Sequence, residues 1–304
     1  MAKLQVLDLH LPQDEADSDE LSQLGLVGLV SLRSLLVAGS VIQVGTLLNG
    51  ISSSHLESIE IAYHHVDSDF DAVRLGPHIN ILRTLGTKFC VSLRSLEVNY
   101  WPFRLDDILQ LSSFLSPVLN VRGLRSLTLQ SEQELSFLDD PIQLITTEWD
   151  ELEVLNIGDF ARVYNYVSPS TSICCLIDFA RHHPNLYFLR LFGTCFRPPS
   201  DAEYPLNLEA PLLPYAHGLR QLRLGISEGM HILNDIKTAQ FLDNIFPNLD
   251  IQDQVAKASA DAARNGKAWD RVVCMIDGSA IGPRETFAVL KGKLCIIQED
   301  LTVS

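Results

Sequence analysis

The chain has 304 residues, 46% of them apolar and 20% charged, so it is long enough for one or two packed domains and is not a disordered tail. Its formal net charge of −15 argues against a nucleic-acid backbone or an anionic membrane as the main partner, because both reward Lys and Arg. Six dispersed cysteines without a Cys-x-x-Cys pair read as reduced and buried, and no Asn-x-Ser/Thr acceptor occurs; both point to an intracellular site, in cytoplasm or nucleus.

The chain opens on Leu4-Gln5-Val6-Leu7-Asp8-Leu9, which follows the pattern Leu-x-x-Leu-x-apolar. The pattern returns from Leu32, Leu56, Leu93, Leu124, Leu152, Leu186, Leu219 and, with Phe in the first place, Phe246. Leu-Arg-Ser-Leu alone occurs three times, from Leu32, Leu93 and Leu124. An apolar-x-apolar core is a strand with one apolar face. Intervals of 24 to 37 residues hold one strand, one helix and two loops. A strand that returns after a helix lies parallel to the last one, and self-similarity of this kind marks a solenoid. No polar capping unit precedes Leu4, and terminal repeats normally carry one, so further chain is expected upstream.

Helices are expected between the strands. Asp14 to Glu20 is an acidic loop, and Ser18 or Asp19 can cap the helix after it. Val41 to Ile51 is apolar. Ser68 or Asp69 caps Phe70 to Phe89, with a break or restart at Gly76-Pro77. Asp106 caps Asp107 to Leu119, Glu132 to Thr147 restarts at Pro141, and Ser170 or Ser172 caps Ile173 to His183 before Pro184 stops it. Arg197 to Pro214 carries five prolines and reads as a loop. Ile232 to Ile245 is helical, and Leu249-Asp250-Ile251 is the last strand of the repeat.

Beyond it, Asp253 to Lys267 reads as a helix, Arg271 to Ile276 and Leu294 to Gln298 as strands, and Thr286 to Lys291 as helical. The expected organisation is a repeat arc over 1–251 and a C-terminal α/β cap over 252–304 that covers the open sheet edge. A small separate C-terminal domain is the alternative.

Catalytic patterns are missing. There is no phosphate-binding Gly-x-x-x-x-Gly-Lys, no Gly-x-Ser-x-Gly and no His-Glu-x-x-His. His64 to Asp71 carries metal-friendly side chains, but Ala72 stands where a calcium loop needs Gly. Cys175 and His182 fall two helical turns apart, too far for a direct hydrogen bond. No cofactor, metal or catalytic residue is assigned.

The repeats resemble those of leucine-rich repeat proteins from Leu4 to Ile251. They depart at the consensus Asn position, held here by Ser40, His64, Trp101, Glu132, Phe160, Thr194 and Ser227, and they run longer than the usual 20–29 residues. The resemblance implies an irregular α/β solenoid, with parallel short strands on a concave face and helices on the convex one. The style of the repeats, with His-His-Pro-Asn-Leu and Phe-Pro-Asn-Leu closing helices, is similar to the C-terminal repeat regions of fungal F-box proteins. That implies a substrate-recognition scaffold of a cullin–RING ubiquitin ligase, provided that an F-box for the Skp-type adaptor lies upstream.

In such an arc the residues between the strand leucines face a partner. The early face carries Glu60 and Glu97; the later one carries Phe188, Arg190, Phe192, Gln221 and Arg223. Arg and aromatic residues concentrate at binding hot spots. That later cluster is the expected recognition patch for a protein ligand, with Tyr100 and Trp101 (beside Tyr63) on the rim. The competing reading packs Phe188 and Phe192 under the proline-rich insert. Two other functions stay open: a standalone adaptor with no ubiquitin role, and an enzyme on an open α/β sheet.

Overall fold

A computed structural model describes residues 4–11, 29–63, 75–101, 109–131, 135–136, 139–159, 171–172, 175–191, 196–197, 217–224, 241–242, 245–246, 248–249, 286–290 and 293–297. The chain forms two compact units, Met1–Tyr164 and Asn165–Ser304. The boundary expected at 251/252 lies outside the described residues.

The first unit is built on six parallel strands paired in chain order. They are β1 (Val6–His10), β2 (Ser34–Gly39), β3 (Ser58–Tyr63), β4 (Ser95–Trp101), β5 (Ser126–Ser131) and β6 (Val154–Asp159). The register follows the repeat. Leu7, Leu35, Ile59, Leu96, Leu127 and Leu155 form one column, and Leu9, Val37, Ile61, Val98, Leu129 and Ile157 form the next but one. From β2 to β6 these side chains are at most 1% exposed. Period-two side chains leave a one-residue slip no way to keep both columns buried. The first leucine of each unit (Leu32, Leu56, Leu93, Leu124, Leu152) is fully buried where the chain turns into the strand.

The turns are joined by main chain. The Gln5 carbonyl accepts from the N–H groups of both Arg33 and Ser34, and Arg33 in turn accepts from Glu57 and Ser58. Glu57, Arg94 and Arg125 repeat the arrangement at the next three strands. Each unit thus satisfies the backbone of its neighbour without an asparagine ladder.

Helices α1 (Val41–Gly50), α2 (Leu75–Lys88), α3 (Leu111–Leu115) and α4 (Asp139–Glu148) alternate with the strands. Ser40 caps α1 through a capping box: its hydroxyl accepts from the Gln43 N–H at 3.3 Å, and the Gln43 side chain accepts from the Ser40 N–H at 3.0 Å. At the other end of α1, Lys88 donates to the carbonyls of Leu48 (2.9 Å) and Asn49 (2.7 Å). Helix α2 begins at Leu75, so Pro77 lies in the first turn, where its missing N–H costs little. At Gly86 the α2 backbone meets the short turn Ser116–Val118: a Cβ there would stand 1.8 Å from the Pro117 carbonyl oxygen.

Two expected helices start later than their sequence suggests. Leu109–Gln110 and Leu135–Ser136 are extended and pair with each other in parallel, and α3 and α4 begin only at Leu111 and Asp139. Pairing between successive repeats supplies backbone partners that a local propensity argument does not see.

In the second unit, α5 (Cys175–His182) precedes β7 (Phe188–Leu191), which pairs in parallel with β8 (Gln221–Leu224). Thr171–Ser172 and Phe196–Arg197 form a second short parallel pair. The shared-carbonyl turn recurs, Tyr187 accepting from Arg220 and Gln221. Helical residues Phe241, Leu242 and Ile245 are buried, in agreement with the helix expected there. Leu249 is not in a strand; its N–H donates to the Phe246 carbonyl, and 250–251 lie outside the described residues. Thr286–Leu290, expected to be helical, is a strand (β9) antiparallel to β10 (Lys293–Ile297). Its Thr-Phe-Ala-Val-Leu sequence is rich in strand formers, and the neighbouring strand gives it a ladder.

Candidate interaction faces on the parallel sheet

Between the buried columns lies the other face of the sheet. In the first unit it presents Asp8, Leu36, Glu60, Glu97, Thr128 and Asn156 in one row. The row before it holds Val6, Ser34, Ser58, Ser95, Ser126 and Val154. The short Ala38, Thr128 and Gly158 are buried, whereas Ser34, Leu36, Ser58, Glu60, Ala62, Ser95, Glu97 and Asn99 keep partial exposure. A parallel sheet covered by helices on both faces buries both sets of side chains. Here one face is a packed core and the other is a surface.

The acidic end of that surface has a defined geometry. Glu60 and Glu97 are register partners on β3 and β4. The Asn99 side-chain amide donates to Glu97 Oε1 at 2.9 Å and to Glu60 Oε1 at 3.5 Å. Burial raises the Glu60 carboxyl above its ordinary range; the Glu97 and Asp8 charges add to this, and the Asn99 hydrogen bond opposes it. The Asn99 and Asn156 carbonyl oxygens are buried with no hydrogen-bond partner. Asp8 completes the acidic row because Leu7-Asp8-Leu9 occupies the same slots as Ile59-Glu60-Ile61. Aligning the first unit with the third was the signal for it.

In the second unit, Phe188 pairs with Gln221 and Arg190 with Arg223. Four of the expected patch residues therefore occupy adjacent positions on two strands. Phe188, Arg190 and Gln221 are half-buried, while Leu189, Leu191 and Leu222 alternate with them in the core. Adjacent strands stand about 4.8 Å apart, so the Arg190 and Arg223 positions are neighbours across the ladder. Phe192, the insert over 198–214 and the metal-friendly stretch 64–71 lie outside the described residues. Tyr100 and Trp101 end β4 where the register shifts between Val98 and Trp101, so the expected rim sits at an irregularity of the ladder.

Cys175 and His182 occupy opposite ends of α5, about 10 Å apart along its axis. His78, His183 and His217 are buried. The Tyr63 and His78 rings meet edge-on at 4.8 Å, and burial holds the His78 imidazole down at about 3. His217 Nδ1 accepts from the Leu219 N–H at 3.0 Å; burial lowers its basicity, against the Phe179 and His183 carbonyls. Among the described residues, no group of three or more His, Cys, Asp or Glu is placed to hold a metal ion. None of their helices is long and apolar enough to cross a membrane.

These features define a parallel α/β protein whose sheet has one packed face and one half-open face. No protein-family model matches the chain, and no curated protein matches it.

Proposed function

We propose that the chain is a protein-interaction scaffold of leucine-rich repeat type, with parallel strands lining a concave binding face and helices on the convex one. The observation that carries this reading is the half-open face itself: from β2 to β6, in-register rows of mostly polar and charged side chains lie opposite two packed apolar columns. The Phe188–Gln221 and Arg190–Arg223 register pairs are the recognition patch, an aromatic position beside two arginine positions, a residue set that suits a carboxylate-bearing protein ligand. In the intracellular setting that its cysteines favour, it serves as the substrate-recognition region of a ubiquitin ligase of F-box type.

The test is quantitative affinity purification of the wild type against Arg190→Glu with Arg223→Glu. The double variant should keep its melting temperature and lose the captured partners. Partners retained by a folded double variant exclude the patch. Recovery of a Skp-type adaptor and a cullin with the natural full-length product supports the ligase role; partners recovered without them favour a standalone adaptor.

A further inference from the structure

Glu60 and Glu97 are short of cations. In the turns of the first unit, Glu57 meets Arg33, and both Glu151 and Glu153 meet Arg125. Among the described residues, no Lys, Arg or His pairs with Glu60 or Glu97. Two carboxylates offer about eight lone-pair positions. The neutral Asn99 amide is the donor that meets them, at 2.9 and 3.5 Å.

The acceptors do not stop at β4. Thr128 on β5 is the register partner of Glu97, and Asn156 on β6 is the register partner of Thr128. Strand parity puts all four side chains on one face, in a row about 14 Å long. Thr128 is 8% exposed, and among the described residues its hydroxyl has no hydrogen-bond partner. The Asn99 and Asn156 carbonyl oxygens are buried and likewise unpartnered. A buried acceptor without a donor is a cost to the fold unless a ligand supplies the donor.

We propose that this row is a subsite for one arginine side chain of a protein partner. The guanidinium lies over Glu97, with one edge toward Glu60 and the other toward Thr128. Its five N–H donors in a planar fork match a row of oxygen acceptors, which the three donors of a compact ammonium do not. Its charge also offsets the repulsion between Glu60 and Glu97, which a neutral amide cannot do. Ser58, Ser95 and Ala62 border the two carboxylates with short side chains, and all five residues keep partial exposure. That the partner is a protein rests on the scaffold proposal; the Arg190–Arg223 pair, in the other unit, plays no part here.

NMR titration of the isotope-labelled full chain with acetyl-Gly-Arg-Gly-amide, up to about 20 mM at constant ionic strength, tests this. Saturable shifts are expected at the backbone amides of Glu60, Glu97 and Thr128. The lysine peptide should bind about tenfold more weakly, and the citrulline peptide, alike in shape but uncharged, should not bind. Glu97→Gln, which is isosteric and relieves a like-charge pair, should fold and weaken binding about tenfold; Thr128→Val should weaken it about threefold. Glu57→Gln, in the turn, should bind as the wild type does. An arginine peptide that does not saturate overturns the subsite, as does a citrulline peptide that binds equally well. So does a Glu97→Gln or Thr128→Val variant with wild-type affinity. Calcium chloride that displaces the peptide at matched ionic strength makes this a metal site and overturns the arginine assignment. Because the probe is a short peptide, its failure leaves the affinity purification of the Arg190 and Arg223 variant as a separate test of the scaffold.

Discussion

Glu60 and Glu97 stand directly opposite each other on adjacent parallel strands, and Asn99 donates to both carboxylates. Like charges directly opposite across a sheet are unfavourable. Glu97→Gln should therefore stabilise the protein by about 0.5 kcal/mol at neutral pH. The pH dependence has a definite sign. The Glu60 carboxyl is raised on folding, so its contribution is fully present below pH 4.5 and is lost as pH rises through the folded value. Urea unfolding at pH 4 and pH 7 should show this decline shrink in Glu97→Gln.

Gly86 has no room for a side chain against the Pro117 carbonyl. Gly86→Ala must push α2 away from the Ser116–Val118 turn. A loss of about 2 kcal/mol is expected, despite the better helix propensity of Ala. A denaturation midpoint at or above that of the wild type would show that the two backbones do not touch.

Lys88 holds the last carbonyls of α1 from the final turn of α2, and burial lowers its ammonium pKa. Lys88→Met keeps the aliphatic stem and removes the donors. It should cost about 1 kcal/mol, and hydrogen exchange should accelerate first at the C-terminal turn of α1.

His78 is neutral in its site, with a folded value of about 3 against 6.5. A depressed basic group withholds its stability cost above 6.5 and imposes it as pH falls from 6.5 toward 3. The loss between pH 6.5 and pH 5 should be about 2 kcal/mol. His78→Leu should abolish that slope. An unchanged slope in the variant would assign the acid sensitivity elsewhere.

Strand positions and register were legible because Leu-x-x-Leu-x-apolar fixes both the period and the face that each residue takes. The apolar run Val41 to Ile51 matched α1, but its Ser40 cap was not read from the sequence; the Ser68 or Asp69 cap expected for Phe70 to Phe89 lies outside the described residues, and the restart expected at Gly76-Pro77 falls in the first turn of α2. Leu109–Gln110 and Leu135–Ser136 read as helix because their partners lie a repeat away, and the pairing that makes them extended is not local. Thr286–Leu290 was misread for the same reason. In the candidate site, the adjacency of Phe188, Arg190, Gln221 and Arg223 followed from aligning two repeats. The bridge from Asn99 to Glu60 and Glu97 did not, since it depends on where side chains reach.

The shared-carbonyl turns leave the side chains at those positions unbound by any backbone duty. Gln5, Arg33, Glu57, Arg94 and Arg125 all do the same main-chain work with unlike side chains. Pairs such as Arg33 with Glu57, and Arg125 with Glu151 at 3.1 Å, are secondary to that seam. At these described seams the strand-to-strand joint is therefore made by main chain alone, and its geometry does not depend on which side chain stands there. A substitution at any of these five positions should therefore change the surface charge of the turn and leave the ladder intact.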